Sequence, residues 1–229
     1  MSTLLDNVPW HALLTDHARF AVTAGNARKY PIDVAPFGGA PDNSAQSIIQ
    51  LAGLLKPGEK TYVMGDEVVA APGLIVGEAE PALQMVCTES PREFDSPTEE
   101  ASPVLLTSED TPDMIRLTGI VYPAFFRPRT HELGRYYGIR IDDELVAMAG
   151  ERMALPGYRE ISGVCTLPNH TGKGYAAQLV KRLMKNHREE GLRSFLHTSP
   201  DNARAIALYE RLGFSVRKRV VIRSIALQA

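Results

Sequence analysis

EISGVCTLPNHTGKGYAAQLV, residues 160–180, changes its period halfway along. EISGVCTL (160–167) is β-rich and ends at Pro168, which cannot donate to a ladder. From Gly172 the period is helical: Tyr175, Leu179 and Leu183 lie four apart, with Ala176, Val180 and Met184 in the adjoining row. Gly191 stands where a helix C-cap belongs. Between strand and helix, Gly172-Lys173-Gly174 lets the backbone approach a ligand closely. The first-turn N–H groups of such a helix lack internal partners, and with the helix dipole they suit a phosphate.

Outward from this stretch the second half alternates strands and helices. On the C-terminal side, SFLHT (194–198) reads as a strand, and Asp201 or Asn202 caps a helix through Ala205, Ile206, Tyr209 and Leu212. Gly213 stops it, and SVRKRVVIRSIAL (215–227) has strand character. On the N-terminal side, VLLT (104–107) is a short strand before a helix carrying Met114, Ile115, Leu117 and Ile120. YYGIRI (136–141), an acidic turn and LVAMAGERMAL (145–155) form a hairpin, and a turn at PGY leads into residue 160. A meander followed by alternating elements predicts an α/β fold with a mixed, mostly antiparallel sheet flanked by helices.

The first half is less legible. SAQSIIQLAGLL (44–55) predicts a helix, and KTYVMG with VVAA (60–71) a hairpin. Asp66-Glu67-Val68-Val69-Ala70 echoes Asp143-Glu144-Leu145-Val146-Ala147, which leaves open a degenerate second copy of the same fold. The chain has 25 Lys+Arg against 27 Asp+Glu, but residues 1–102 carry a net −8 and residues 103–229 a net +6. The changeover at PREFDSPTEEASP (91–103) reads as an exposed connection, so the expected division is an N-terminal α/β region, 1–102, and a second domain, 103–229. The basic half favours an anionic ligand.

Three phosphate-binding chemistries compete for the glycine loop. No G-x-x-x-x-G-K-[ST] occurs, which excludes a Walker A loop. Gly172-x-Gly174-x-x-Ala177 fits the dinucleotide fingerprint, but SFLHT ends without the ribose-binding acid. Only 58 residues run from Gly172 to the last residue, too few for a doubly wound domain. The third chemistry is coenzyme A. Asn169-His170-Thr171-Gly172-Lys173-Gly174 is similar to the [QR]-x-x-G-x-[GA] pyrophosphate loop of the GNAT (GCN5-related) N-acyltransferases, with Asn169 in place of Gln or Arg. Asn202 followed by LYERLGF (208–214) resembles that family's second motif. The resemblance reaches back to about Val104 and is closest to the FR47-like branch.

The resemblance implies a GNAT fold and acetyl-CoA as acyl donor to a primary amine of a small molecule, amino acid or peptide. Val164, Cys165 and Thr166 would pair with the pantetheine arm, and His170, Thr171, Gly172, Lys173, Gly174, Tyr175, Ala176 and Ala177 would hold the pyrophosphate. Asn202 would lie near the pantetheine, with Tyr209 as general acid and Glu160 as general base. A water chain or an already deprotonated amine would serve in place of Glu160; His131 and His197 are weaker candidates. Phe126, Arg127 and Arg129, within YPAFFRPRTHELGRYYG (122–138), are the expected acceptor contacts, the arginines as a carboxylate clamp. The rival function is a non-catalytic acyl-CoA sensor.

Other classes are disfavoured. Hydrophobic content of 44% and charged content of 23% exclude a disordered chain. No apolar run reaches the roughly 18 residues of a membrane helix, and Asp6 with no base before Arg19 speaks against a signal peptide. Cys87 and Cys165 suit a reducing compartment, so a cytoplasmic protein is expected. The six histidines show no H-x-x-x-H spacing, so no metal is expected. Without interleaved aromatic and basic residues a nucleic-acid partner is disfavoured; homo-oligomerisation stays open.

Overall fold

The computed structural model describes residues 3–65, 68–69, 71–88, 102–122 and 125–228. In chain order these form α1 (Val8–Leu14), β1 (Val22–Ala24), β2 (Ala27–Lys29), β3 (Gly38–Gly39), α2 (Ala45–Ala52), β4 (Lys60–Met64), β5 (Leu74–Val76) and β6 (Glu80–Cys87). The second half continues with β7 (Val104–Leu106), α3 (Thr111–Val121), β8 (Tyr136–Ile141), β9 (Glu144–Leu155), β10 (Tyr158–Thr166) and α4 (Tyr175–Glu189). β11 (Arg193–Thr198), α5 (Ala203–Arg211) and β12 (Phe214–Leu227) follow.

β1, β2 and β3 make a small sheet, and the other nine strands make one large one in the order β4-β12-β6-β11-β10-β9-β8-β7, with β5 also on β12. Every pair in the large sheet is antiparallel except β10 with β11. The expected meander is present as β8, β9 and β10. The turn joining β8 to β9 puts Asp142 and Asp143 at φ 48° and 64°, a left-handed pair that aspartate tolerates in a tight hairpin.

The sheet runs across the 102/103 division, because β6 of the first half lies between β11 and β12 of the second. Both faces are covered, and neighbouring residues divide between them as the pleat requires. Phe195 and Val86 pack in a core with Leu5, Val8, Leu13, Phe37 and Met153, while Leu196 and Met85 pack with Met114, Leu117, Leu179, Val180 and Leu183. The N-terminal segment therefore roofs one face, and α3 and α4 belong to the opposite core. A satellite core joins α2 to Val63 and Ile225.

Two local expectations need correction, and two fall wholly or partly outside the described residues. KTYVMG does not form a hairpin with VVAA: β4 pairs with β12, and Val68 and Val69 are in no strand. Asp66, Glu67 and Ala70 of the echo, and residues 91–101 of the connection, lie outside the described residues. The helix after the glycines begins at Tyr175, not Gly172, because Gly172 and Gly174 take φ 85° and 81°, which a right-handed helix excludes.

Candidate active site

The pairing of β10 with β11 stops at Ile161 with Leu196, although β10 remains paired to β9 as far as Thr166 with Ala147. Gly163, at φ 62°, lies where the β9–β10 register shifts. A bulge there increases local twist and turns β10 away from β11. β11 meanwhile stays with β6, pairing His197 with Gln84 and Thr198 with Leu83. The two parallel strands part, and a cleft of about 1320 Å³ opens along the split. That exceeds the 300–1,000 Å³ of an ordinary small-ligand pocket and suffices for two substrates end to end.

One end of the cleft is the glycine loop. A single 3-10 turn over Pro168–His170 leads into it, and Thr171 Oγ1 donates to the Pro168 carbonyl at 3.0 Å. α4 has Gly174 as its N-cap with no side-chain cap, so its first N–H groups have no side-chain acceptor from that residue. A Cβ at Gly172 would meet nothing within 4 Å, so the loop is open toward the ligand side. His170 Nδ1 and the Tyr175 hydroxyl are buried with no hydrogen-bond partner among the described residues, and both residues line the cleft. Buried polar atoms are rarely left so without a ligand or water to satisfy them.

The middle of the cleft carries Val164, Cys165 and Thr166 from β10, and Asn202 and Tyr209 from α5. Asn202 Oδ1 accepts from the Ala205 N–H at 3.1 Å, so this residue caps α5 and also faces the cleft. Tyr209 is 6% exposed, packs edge-on to Phe214 at 6.0 Å, and is pushed up to about 12 by burial. It is thus both a core residue and a cleft residue, and its phenol stays protonated at neutral pH. Burial likewise raises Cys165 to about 12, which leaves its thiol without nucleophilic thiolate.

The far end is aromatic. Phe37 and Phe125 stack at 5.4 Å, Tyr122 lies 5.7 Å from Phe125, and Phe126 meets Tyr136 edge-on at 5.6 Å. Arg152 lies over the Phe37 ring at 4.8 Å. Phe37, Glu80, Pro81 and Ala82 bring the first half of the chain into this wall.

Glu160 is fully buried and does not line the cleft. Arg152 Nε and Nη2 donate to its two oxygens at 2.9 and 2.6 Å, and His197 Nδ1 approaches Oε1 at 2.7 Å. Burial alone would raise this carboxyl, but the Arg152 charge and hydrogen bonds, with the His197 contact, hold it down at about 2. A carboxylate so stabilised and so enclosed is a poor proton acceptor, which corrects the base expectation for Glu160. His197 and Arg152 take its place on the cleft surface. The Gln84 amide donates to His197 Nε2 at 3.1 Å and to the Leu5 carbonyl at 2.7 Å.

Arg127 and Arg129 do not line the cleft, which corrects their assignment as the clamp. Arg129 is exposed and committed to Asp33 at 3.2 Å and Glu132 at 2.7 Å. Lys173 is likewise outside the lining, as is His131, whose Nδ1 lies 3.3 Å from Thr111 Oγ1. The structure brings together Val164, Cys165, Thr166, His170, Thr171, Gly172, Gly174, Tyr175, Ala176, Ala177, Asn202, Tyr209 and Phe126 on one surface. Sequence reasoning missed Arg152, Phe37 and Arg204, while Tyr136 falls within the aromatic segment 122–138 it singled out. An arginine inside the apolar run LVAMAGERMAL was the one signal that could have found Arg152.

A parallel pair splayed beside a glycine loop, with a tyrosine from the following helix lining the same cleft, is an acyltransferase arrangement. The Acetyltransferase (GNAT) family model matches residues 99–214, and the chain belongs to that family. A GNAT-family protein of solved structure from Novosphingobium aromaticivorans DSM 12444 is 33% identical, with full coverage of both chains and a TM-score of 0.89. A GCN5-related N-acetyltransferase from Kribbella flavida shares the fold at 19% identity, covering 94% of this chain and 93% of its own, with a TM-score of 0.63. An uncharacterized N-acetyltransferase, YobR, of Bacillus subtilis (strain 168) is 31% identical over 75 residues. That match covers 32% of this chain and 30% of the relative. Among the described residues no helix is long and apolar enough to cross a membrane, and no cluster of potential metal ligands occurs.

Proposed function

We propose that the protein is an acetyl-CoA-dependent N-acyltransferase acting on a primary amine, in a cytoplasmic setting, and nearest the FR47-like branch by its LYERLGF motif. The observation that carries the reading is the split between β10 and β11 that ends at an uncapped helix N-terminus. The residues present fit coenzyme A: the open Gly172, the N–H groups of α4 and the unpartnered His170 Nδ1 offer a seat for a diphosphate. Arg204 and Arg211 add positive charge to the same cleft. The donor supplies an acetyl thioester. In this reading the β10 edge from Ser162 to Thr166 receives the pantetheine arm and an N–H there polarises the thioester carbonyl.

Tyr209 acts as the acid. Its phenol, kept protonated by burial, hydrogen-bonds to the sulfur and shares its proton partway as the C–S bond breaks and the N–C bond forms. The proton shed by the amine leaves to solvent through the open cleft, and the departing thiolate takes its proton from solvent. Glu160 is a positioning residue, holding Arg152 and His197 against the cleft. The first half of the chain contributes the acceptor wall rather than a separate activity.

The test is acetylation of an amine panel with acetyl-CoA, followed by mass, for the wild type and Tyr209→Phe. The variant should keep acetyl-CoA affinity and lose turnover by roughly ten- to a thousand-fold. If no amine is acetylated while acetyl-CoA still binds, the chain is an acyl-CoA sensor and the catalytic reading falls.

A further inference from the structure

Arg152 stands apart from the other arginines of the cleft. It is in the middle of β9, its side chain is 13% exposed, and its guanidinium is fixed in orientation from two directions. Glu160 takes Nε and Nη2 in a side-on fork, and the Phe37 ring closes one guanidinium face at 4.8 Å. This arrangement uses two of the five N–H bonds. Nη1, with the second hydrogen of Nη2, forms the end-on fork, and among the described residues nothing accepts from Nη1. Arg152 lines the cleft, from which an acceptor for this fork can approach.

A buried ion pair does not need a cleft-facing arginine to be stable. An apolar pair of similar volume serves stability as well or better. The arrangement does serve recognition: the Glu160 charge cancels the cost of burying the cation, and the fork remains available for a second carboxylate. The wall around it is apolar and aromatic, from Phe125, Phe126, Tyr122 and Ile222. Glu80 and Asp201 are the acids among the described cleft residues, and Glu80 is exposed.

We infer that Arg152 is the specificity-determining residue of the acceptor end, binding a carboxylate of an amine whose apolar body packs on Phe125 and Phe126. The acceptor class is therefore a carboxylate-bearing amine with an apolar or aromatic side group. This inference rests on the N-acyltransferase reading, and two separate measurements keep them distinguishable.

The first is acetylation kinetics with the matched pair L-phenylalanine and phenethylamine. The second is calorimetric binding of N-acetyl-L-phenylalanine and its amide to the protein with coenzyme A present, which needs no turnover. The acid should exceed its neutral counterpart at least tenfold in both kcat/KM and affinity, the weight of a charge-assisted bond. Arg152→Lys keeps a cation beside Glu160 but has no fork; it should raise KM for phenylalanine at least tenfold more than it raises KM for phenethylamine, so that the preference for the acid is lost. Acetylation of both amines without preference would overturn the carboxylate site and leave acyl transfer standing. Binding of the acid over the amide that Arg152→Lys does not weaken would also overturn it. Arg152-dependent binding of the acid with no amine acetylated would uphold the site and remove the acyltransferase.

Discussion

Replacing Gly172 by Asp separates the anion seat from the fold that carries it. Gly172 has φ 85°, and a Cβ there meets nothing within 4 Å. The substitution therefore costs no packing, only the left-handed backbone, about 1 kcal/mol for a residue that tolerates this region relatively well. For a chain of this size that loss lowers Tm by about 2–4 °C. The effect on binding is larger. A carboxylate about 5 Å from a phosphate charge, at an effective dielectric constant of about 20, repels it by roughly 3 kcal/mol, or about a hundredfold in affinity. Gly172→Ala is the control, with at least as much backbone strain and no charge. Calorimetric titration with coenzyme A should show the Asp variant weakened by about a hundredfold and the Ala variant by only a few-fold. The Asp defect should shrink as salt is raised from low ionic strength, where the Debye length grows beyond about 10 Å. Equal affinities for Asp and wild type, or equal losses for Asp and Ala, would refute the placement of a diphosphate at this loop.

Two further outcomes follow from the buried charges. Glu160→Gln leaves the Arg152 cation buried without its counter-charge, so urea unfolding should report a loss of about 3–5 kcal/mol; a loss below about 1 kcal/mol would show that the carboxylate is not structural. His17 is 4% exposed, with Nδ1 2.8 Å from the Tyr30 hydroxyl and Nε2 3.2 Å from the Leu133 carbonyl, and burial lowers it to about 4. Because its folded value lies below the unfolded 6.5, the unfolded chain takes up the proton first as pH falls. Stability is then complete above about 6.5 and declines toward 4, by about 2 kcal/mol between pH 7 and pH 5. Urea midpoints across that range should show the slope, and His17→Gln should flatten it.

The glycine-loop end was legible because its signals are local. A strand's period of two gives way to 3.6 within a dozen residues, and Gly172 and Gly174 meet the positive φ the turn imposes. Asn202 capping α5 and Tyr209 one face along it are likewise matters of spacing on a single helix. The aromatic end of the cleft was less legible for the opposite reason. Arg127 and Arg129 are close in sequence to Phe126, yet Arg129 turns outward to Asp33 and Glu132. Glu160 at the head of a strand looked accessible, but β9 sets Arg152 beside it and β11 sets His197 there.

By itself, then, the sequence determined the elements of the second half, the family they belong to and the glycine turn between β10 and α4. These rest on backbone conformation and periodicity within segments of about twenty residues. Tertiary structure alone decided that β6 enters the sheet between β11 and β12, that Phe37 backs Arg152 across 115 positions of chain, and that Glu160 is sealed away from the cleft. Each depends on which strands neighbour one another, and strand neighbours are chosen by the burial of two whole sheet faces, which no local pattern encodes.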